Sequence, residues 1–257
     1  MPSQAVSADM PGAAFSREQI CGHRGASGIY PENTRAAFDA AASVGAGWIE
    51  TDIQCLADGE LVIFHDAHLG RTALGAAKVA TLVWPDMAEL DVGSWRGNTF
   101  ASERPLRCED LIAWQAEAPD RPGIVWEVKC EDEPEAVAAA AAALTQRLRD
   151  ADGHRCIVSS FSRDVLVALR PQLPAIPMAL IAERLPEDGV AFCQEHGLEG
   201  MHLDGHQVNH DSACTVLDAS LAPRCYTIND MKEAQRLVAL GVSMIMTDFP
   251  ERFLTRD

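Results

Sequence analysis

Short apolar runs alternate with helix-like stretches along most of the chain, and this alternation restricts the fold more than any other feature of the sequence. A short apolar run between turn-forming residues is typical of a buried strand. Such runs predict strands at Ile20–Gly22, Trp48–Asp52, Leu61–Phe64, Ile124–Lys129, Cys156–Ser160, Met178–Ile181, Gly200–Leu203, Arg224–Thr227 and Met244–Thr247. Strands that are separated by helices are typical of a parallel sheet.

The segments between these strands have the composition and the end signals of helices. We predict helices at Thr34–Val44, Cys108–Ala118, Pro134–Arg149, Arg163–Leu169, Glu187–His196, Asp211–Ala219 and Asp230–Leu240, with a short one from Pro250. Asn33, Ser162 and Asn229 are the expected N-caps, because their side chains can accept a hydrogen bond from the first turn. Three glycines are expected to end helices in the left-handed conformation: Gly45, Gly197 and Gly241.

Eight β-then-α units in about 250 residues predict the α/β class and, within it, a TIM (β/α)8 barrel. Leu61–Phe64 is the ninth strand, and we expect it to extend the second through the turn Ala57-Asp58-Gly59. Residues 67–107 show no clear helical period, which predicts a small insertion between the second and third barrel strands. A doubly wound open sheet is the rival fold, but neither a Gly-x-Gly-x-x-Gly motif nor a P-loop supports it.

Charge and composition restrict the partners and the location of the protein. The chain of 257 residues has 38 acidic and 21 basic side chains and a net charge of −17, which opposes binding to nucleic acid or to an anionic membrane. No apolar run is long enough to span a membrane, and residues 1–18 lack the features of a secretory signal. We expect residues 1–18 to form a flexible N-terminal arm and residues 19–257 to form a single barrel domain in the cytoplasm. Eight scattered cysteines without a C-x-x-C motif predict buried thiols rather than disulfides or a zinc site.

Three acidic residues on predicted strands indicate a metal site. The active site of a (β/α)8 barrel lies at the C-terminal ends of its strands. Glu50 and Asp52 share one face of their strand, and Glu127 shares a face with Lys129 on the next strand of the barrel. Converging carboxylates are costly unless a cation joins them, and oxygen ligands suit Mg²⁺ or Ca²⁺. Solvated charges, or salt bridges with Lys129, are the alternative interpretation.

Two histidines stand at the ends of the first and third predicted strands. His23 is followed by Arg24 on a glycine-rich turn, and His65 ends the hairpin strand. Two imidazoles beside a phosphate can cleave a phosphodiester, one taking a proton and the other giving one. Asp66 follows His65, and since adjacent side chains of a strand point to opposite faces, we expect Asp66 to be structural and not to orient that ring.

Taken in order, the motifs of this chain resemble those of the glycerophosphodiester phosphodiesterases from about Ile20 to Pro250. They are His23-Arg24-Gly25, Pro31-Glu32-Asn33-Thr34, Glu50-Thr51-Asp52, His65-Asp66 with Leu69 and Arg71-Thr72, Glu127-Val128-Lys129, Tyr226-Thr227-Ile228-Asn229 and Thr247-Asp248. Each motif is modest alone, but their common order is specific. The segment Leu90–Trp95 also resembles the family's insertion between the second and third barrel strands.

The resemblance implies a TIM barrel enzyme of glycerol and lipid metabolism that hydrolyses glycerophosphodiesters to sn-glycerol 3-phosphate and an alcohol. It further implies that the glycerol 2-hydroxyl is the nucleophile and that a cyclic phosphate is formed and then opened by water. By motif position the roles would be acid/base catalysis for His23 and His65, metal binding for Glu50, Asp52 and Glu127, and phosphate contact for Arg24 and Lys129. We expect Phe161 and Tyr226 to shape the leaving-group pocket. The order of the two histidines stays open.

The resemblance is to the cytosolic bacterial form, which favours one Mg²⁺ ion, with Ca²⁺ or Mn²⁺ as alternatives. The expected partner is a small-molecule glycerophosphodiester, without nucleic acid or stable membrane insertion, and a homodimer is left open. Tyr226 stands where many members have tryptophan, so the preference for the alcohol group can differ. Two other functions are considered: a related phosphodiesterase that acts on lipids, such as a lysophospholipase D or a phosphatidylinositol-specific phospholipase C, and a barrel that binds glycerophosphodiesters without turnover.

Overall fold

The computed structural model describes residues 15–130, 133–149 and 154–254. Its strands are β1 (Ile20–His23), β2 (Trp48–Cys55), β3 (Leu61–Ile63), β4 (Gly123–Lys129), β5 (Cys156–Ser160), β6 (Met178–Ala182), β7 (Gly200–Asp204), β8 (Ala222–Tyr226) and β9 (Met244–Thr247). All except β3 are parallel to their neighbours, in the order β1-β9-β8-β7-β6-β5-β4-β2, and pairing of β1 with β2 closes the ring. This confirms the predicted TIM barrel. β3 pairs with β2 in antiparallel fashion and extends it beyond the ring, as expected.

Helices follow the barrel strands. They are α1 (Arg35–Ser43), α2 (Trp84–Ala88), α3 (Cys108–Ala116), α4 (Pro134–Arg149), α5 (Arg163–Leu169), α6 (Gly189–Glu195), α7 (His210–Asp218) and α8 (Met231–Ala239). The sequence missed α2, because five residues complete little more than one turn and show no period. The short helix expected from Pro250 is a 3₁₀ turn, Pro250–Arg252. Among the described residues, no helix has the length and apolar character needed to cross a membrane.

The helix caps differ from the prediction at two of three positions. Ser162 caps α5 as expected, accepting a hydrogen bond from the backbone of the first turn. The caps of α1 and α8 are Thr34 and Asp230, each one residue after the predicted cap. Asn33 and Asn229 are not N-caps. Their side-chain amides bind carboxylates at the mouth of the barrel instead.

Apolar side chains form two main layers, one inside the barrel and one between the strands and the helices. The inner layer consists of Cys21, Val125, Ile157, Ala179, Met244 and Met246. A third cluster lies under the segment that follows β3 and includes Val62, Phe64 and Met87. Among the described residues the cysteines form no disulfide, and five of the eight are buried. The inner layer fills the barrel below the C-terminal ends of β2 and β4, where Glu50, Asp52 and Glu127 lie.

The predicted N-terminal arm lies mostly outside the described residues, which begin at residue 15. Its last residues pack onto the barrel. Phe15 is buried, and its ring centroid lies 5.6 Å from that of Phe253 in an edge-on arrangement. Arg17–Gln19 form a 3₁₀ turn that leads directly into β1. Phe15 therefore packs onto the barrel, whereas the side chains of residues 16–18 are exposed.

Two glycines with the same left-handed backbone allow a matched test of the turn after β1. Gly25 has a φ of +81°, and a Cβ there would lie 2.6 Å from the backbone of Ala37, whereas Gly45 has a φ of +85° and open space. We expect Gly45→Ala to lower the free energy of unfolding by about 1–2 kcal/mol, the cost of left-handed backbone. Gly25→Ala should cost more, because the same strain is joined by a backbone clash. Denaturant unfolding of both variants measures the difference, and equal losses would contradict the packing of this turn against α1.

Candidate active site

The register of β2 and β4 brings three carboxylates together. Asp52 is the strand partner of Glu127, and Glu50 lies two residues before Asp52 on the same face. One oxygen atom from each of the three lies within 4.8 Å of the others. The residues are only 2%, 0% and 9% exposed for Glu50, Asp52 and Glu127. Three acids thus meet in a place from which water is largely excluded.

The pKa values of the three acids are shifted in different directions. Burial, followed by the charge of Asp52, raises the pKa of Glu50 to about 8 and also raises the pKa of Glu127. Burial would raise the pKa of Asp52 as well, but the charges of Arg24 and Lys129 outweigh it and lower that pKa to about 2. Asp52 is therefore the fixed anion of the group, and the other two are destabilised as anions by its presence.

Arg24 and Lys129 are the cations that face the carboxylates. The Nε atom of Arg24 lies 3.2 Å from Asp52 Oδ2, and its backbone N–H donates to Glu50 Oε2 at 3.0 Å. This double contact depends on the left-handed backbone of Arg24, whose φ is +54°. Lys129 Nζ lies 3.2 Å from Asp52 Oδ1 and also contacts Glu127. The salt bridges predicted as an alternative are thus present for Asp52 and Glu127.

The cations leave two buried carboxylate oxygens without a hydrogen-bond partner among the described residues, Glu50 Oε1 and Asp52 Oδ1. Asp52 Oδ1 lies 3.2 Å from Lys129 Nζ in an ion pair. An orphaned buried oxygen, within reach of two further carboxylates, fits a divalent cation that prefers oxygen ligands. The expected donor set of Glu50, Asp52 and Glu127 therefore has the geometry and chemistry to hold such an ion.

His23 stands beside this group and is fixed by a carboxylate on the opposite side. Its Nδ1 lies 2.7 Å from Asp248 Oδ1, and its Nε2 is 3.9 Å from Glu50 Oε2. Asp248 also accepts hydrogen bonds from Ser27 Oγ at 3.0 Å and from Asn229 Nδ2 at 2.7 Å. Burial lowers the pKa of His23, but the bond to Asp248 and the charge of Glu50 outweigh it, and the pKa is raised.

His65 is held in a similar way, which corrects the prediction for Asp66. The Nδ1 of His65 lies 2.7 Å from Asp66 Oδ1. The residues lie beyond the end of β3, so strand alternation does not separate their side chains. Arg71 donates to Asp66 at 2.7 Å and to Glu32 at 2.6 Å, and Glu32 accepts from Arg24. Asp66 therefore orients His65, and a chain of ion pairs ties it to the phosphate-binding candidate Arg24.

The two histidines have the same tautomer, as the carboxylates show. Burial would raise the pKa of Asp248, but the hydrogen bond to His23 outweighs it and lowers that pKa to about 2. Burial would also raise the pKa of Asp66, and there the hydrogen bond from Arg71 outweighs it, so that this pKa is lowered as well. An ionised carboxylate can only accept hydrogen bonds, so Nδ1 of each ring must carry the donated proton. The Nε2 of each ring then carries no proton when the ring is neutral and can accept one from a substrate; that of His23 lies 3.9 Å from Glu50 Oε2, and His65 borders a cavity together with Glu127 and Lys129.

The two remaining predicted site residues form one wall of the mouth. Phe161 follows β5 and is 49% exposed, while Tyr226 ends β8 and is partly buried. Their ring centroids are 6.3 Å apart at nearly a right angle, and Lys129 Nζ lies 5.8 Å from the Phe161 centroid. A cavity of about 480 Å³ opens next to Phe161 and is bordered by His65, Glu127 and Lys129.

Two asparagines that the sequence interpretation treated as caps are part of the site. Asn33 Nδ2 donates to Asp52 Oδ2 at 2.8 Å, and its oxygen accepts from Thr51. Asn229 Oδ1 accepts a hydrogen bond from the Asp248 backbone N–H at 2.9 Å, and Asn229 Nδ2 donates to the Asp248 side chain. Both stand next to a good capping residue, so local pattern alone could not separate the two roles. Only their positions within the family motifs indicate that they belong to the site.

Comparison with known proteins decides the family. The chain matches the profile of the Glycerophosphoryl diester phosphodiesterase family over residues 23–252. The chain belongs to this family. Membership confirms the resemblance seen in the motifs, and with it the prediction of an enzyme of this class.

Relatives agree along nearly their whole length. Proteins named glycerophosphodiester phosphodiesterase from Bacillus subtilis and Bacillus altitudinis are 29% and 28% identical, with 96% and 91% of this chain and 90% and 96% of theirs covered. The structure is similar to that of an Oleispira antarctica phosphodiesterase in complex with the product sn-glycerol-3-phosphate. That comparison has a TM-score of 0.86 and 26% identity and covers 91% of this chain and 94% of the other.

Glu50 offers a direct test of the acidic group. We expect Mg²⁺ at about 100 times its dissociation constant to stabilise the protein by about 2.7 kcal/mol, because only the folded state assembles the three carboxylates. Glu50→Gln should keep the shape of the side chain and lose most of this gain, while its metal-free form should be at least as stable as the wild type. Thermal unfolding with EDTA or Mg²⁺ measures both effects. Glu195→Gln, on the surface of α6, is the control and should keep the full response; an unchanged response in Glu50→Gln would exclude this ion site.

Proposed function

We propose that the protein hydrolyses glycerophosphodiesters to sn-glycerol 3-phosphate and an alcohol, with a divalent cation held by Glu50, Asp52 and Glu127. One observation carries the proposal: two histidines, each fixed at Nδ1 by a carboxylate, stand beside a buried group of carboxylates in which Glu50 Oε1 and Asp52 Oδ1 have no hydrogen bond. Family membership and the product bound by the Oleispira antarctica relative support the same reaction.

Each charged residue has a separate task in this proposal. When bound, the cation supplies a Lewis acid that polarises a phosphate oxygen and favours ionisation of a nearby hydroxyl. Arg24 and Lys129 bind the phosphoryl oxygens and stabilise the charge that grows on them, since both already face the site from partly buried positions. No protein nucleophile is needed if the glycerol 2-hydroxyl attacks the phosphorus and gives a cyclic phosphate that water then opens.

The surroundings of the histidines support an order for their proton transfers. His23 Nε2 lies 3.9 Å from Glu50 in the acidic group, where the glycerol hydroxyls would bind. His65 borders the cavity, which has room for the leaving alcohol. We assign removal of the 2-hydroxyl proton to His23 and protonation of the leaving oxygen to His65. Two imidazoles in opposite protonation states give a bell-shaped dependence of the rate on pH.

Mg²⁺ as the ion, a cytoplasmic location and one domain over residues 19–257 stay predictions. Phospholipid hydrolysis and binding without turnover remain the competing functions. Both leave distinct results in the assay below, because the first needs a lipid substrate and the second releases no product.

The proposed reaction can be tested by release of sn-glycerol 3-phosphate from a series of glycerophosphodiesters. We expect release that EDTA abolishes and that Mg²⁺, Mn²⁺ or Ca²⁺ restores, because the carboxylates cannot position the phosphate without a cation. The ion that restores most activity identifies the preferred metal. Tight binding of glycerophosphodiesters without release, with any of these ions present, would favour the non-catalytic barrel and refute the proposal.

The order of the histidines can be separated with an activated leaving group. Either His23→Ala or His65→Ala should slow hydrolysis of an alkyl ester about 10²–10⁴-fold, the usual value of acid/base catalysis. With the p-nitrophenyl ester, whose phenolate leaves without protonation, His65→Ala should recover nearly wild-type kcat, and His23→Ala should stay slow. His206→Ala, at an exposed histidine, is the matched control. Recovery in His23→Ala instead would reverse the assignment.

A further inference from the structure

The cavity beside His65 is much larger than a small alcohol requires. Its volume is about 480 Å³, within the range of about 300–1,000 Å³ found for sites that enclose ligands of drug size. It lies between the ends of β2, β4 and β5, the first turns of α4 and the segment after β3. The tasks given above use only the end beside His65, where the alcohol leaves the phosphate.

One end of the cavity is bordered by the candidate catalytic residues, and the rest is not. His65, Glu127 and Lys129 border it together, so a group that leaves the phosphate on the His65 side enters it directly. In the proposed function the hydroxyls of the glycerol part bind at the carboxylates. The cavity is therefore placed to receive the alcohol that is released.

The walls of the cavity are mainly apolar. They include Leu56 and Val128, both 3% exposed, the alanines Ala80, Ala136 and Ala139, and the ring of Phe161 at 49% exposure. Apolar walls favour binding mainly by removing the apolar surface of a ligand from water.

Beyond the catalytic end, the charged residues among the described lining are of opposite sign, Lys78 and Glu135. These described residues offer no net negative charge to a cationic alcohol group such as choline, and Lys129 already faces the Phe161 ring as its cation. Phe161 and Tyr226 meet edge to face and do not form a cage around the cavity. The charge and the aromatic geometry thus favour an uncharged occupant.

We propose that this cavity is the leaving-alcohol subsite and that it selects glycerophosphodiesters whose alcohol carries an uncharged aliphatic chain. The inference rests on the proposed function and names its substrate class. The chain is on the alcohol and not on the glycerol, which distinguishes this substrate from a lysophospholipid that is cleaved to release its head group. The reaction is unchanged: the phosphorus–oxygen bond to the alcohol breaks, and His65 gives the departing oxygen its proton.

The test compares ethyl, octyl and choline esters of sn-glycerol 3-phosphate as substrates. The kcat/KM of the wild type should rise by up to about fourfold for each methylene that the cavity buries, so the octyl ester should exceed the ethyl and choline esters by at least about tenfold. A lysophospholipid with the same chain on its glycerol should show no such gain. Equal or better turnover of the choline or ethyl ester overturns the proposal.

Two alanines of α4 provide a matched pair of variants. Ala139 lines the cavity, and Ala142 is exposed on the same helix but lies away from it. Ala139→Phe should fill the cavity and lower kcat/KM for the octyl ester by about tenfold while the ethyl ester changes by less than about twofold. Ala142→Phe should behave as the wild type with both esters. Equal losses for both esters in Ala139→Phe contradict the subsite.

Failure of the proposed reaction gives a different result. If no ester releases sn-glycerol 3-phosphate, the proposed function fails, and calorimetric binding of the same esters decides the subsite. The octyl ester must then bind at least about tenfold more tightly than the ethyl ester in the wild type, and Ala139→Phe must remove this difference. Equal affinities overturn the inference.

Discussion

The repulsion between buried carboxylates is the constraint on which the site depends. Glu50, Asp52 and Glu127 meet with little access to water, and their mutual charge would drive them apart or neutralise them by protonation. The surrounding residues act against this. Arg24, Lys129 and the Asn33 amide all bind Asp52, and the left-handed backbone of Arg24 directs its N–H to Glu50. Glu50 Oε1 and Asp52 Oδ1 still lack a hydrogen bond, and the proposed divalent cation would complete the balance.

The barrel supplies the precision that this arrangement needs. Parallel register places Asp52 beside Glu127 and His23 beside Glu50, so the acidic group and the first histidine are positioned by backbone hydrogen bonds. Closure of the ring brings Asp248, just after β9, next to β1, where it fixes His23. The second histidine stands outside the ring after β3 and needs its own support, which the Asp66–Arg71–Glu32 chain provides. Both rings are therefore fixed at Nδ1 by a carboxylate, and His23 Nε2 lies 3.9 Å from Glu50 Oε2.

The sequence was informative wherever the chemistry follows a regular period. The β-then-α alternation predicted the barrel, and the i, i+2 spacing predicted which acids share a face. Prediction failed where two local patterns compete for one residue. Asn33 precedes Thr34 and Asn229 precedes Asp230, and each pair offers two plausible caps, so only the three-dimensional contact with Asp52 or Asp248 shows which residue caps the helix. The expectation that Asp66 does not orient His65 is wrong, because strand alternation does not hold past the end of β3. The cavity beside His65 could not be predicted, since its walls come from segments far apart in the chain.

The most direct test of this account is a crystal structure with Mn²⁺ and sn-glycerol 3-phosphate, recorded with anomalous scattering from manganese. The account predicts one anomalous peak in the site, contacted by Glu50, Asp52 and Glu127, with the phosphate between the Nε2 atoms of His23 and His65. An anomalous peak elsewhere, or a phosphate bound at the carboxylates with Lys129 in place of the ion, would contradict it.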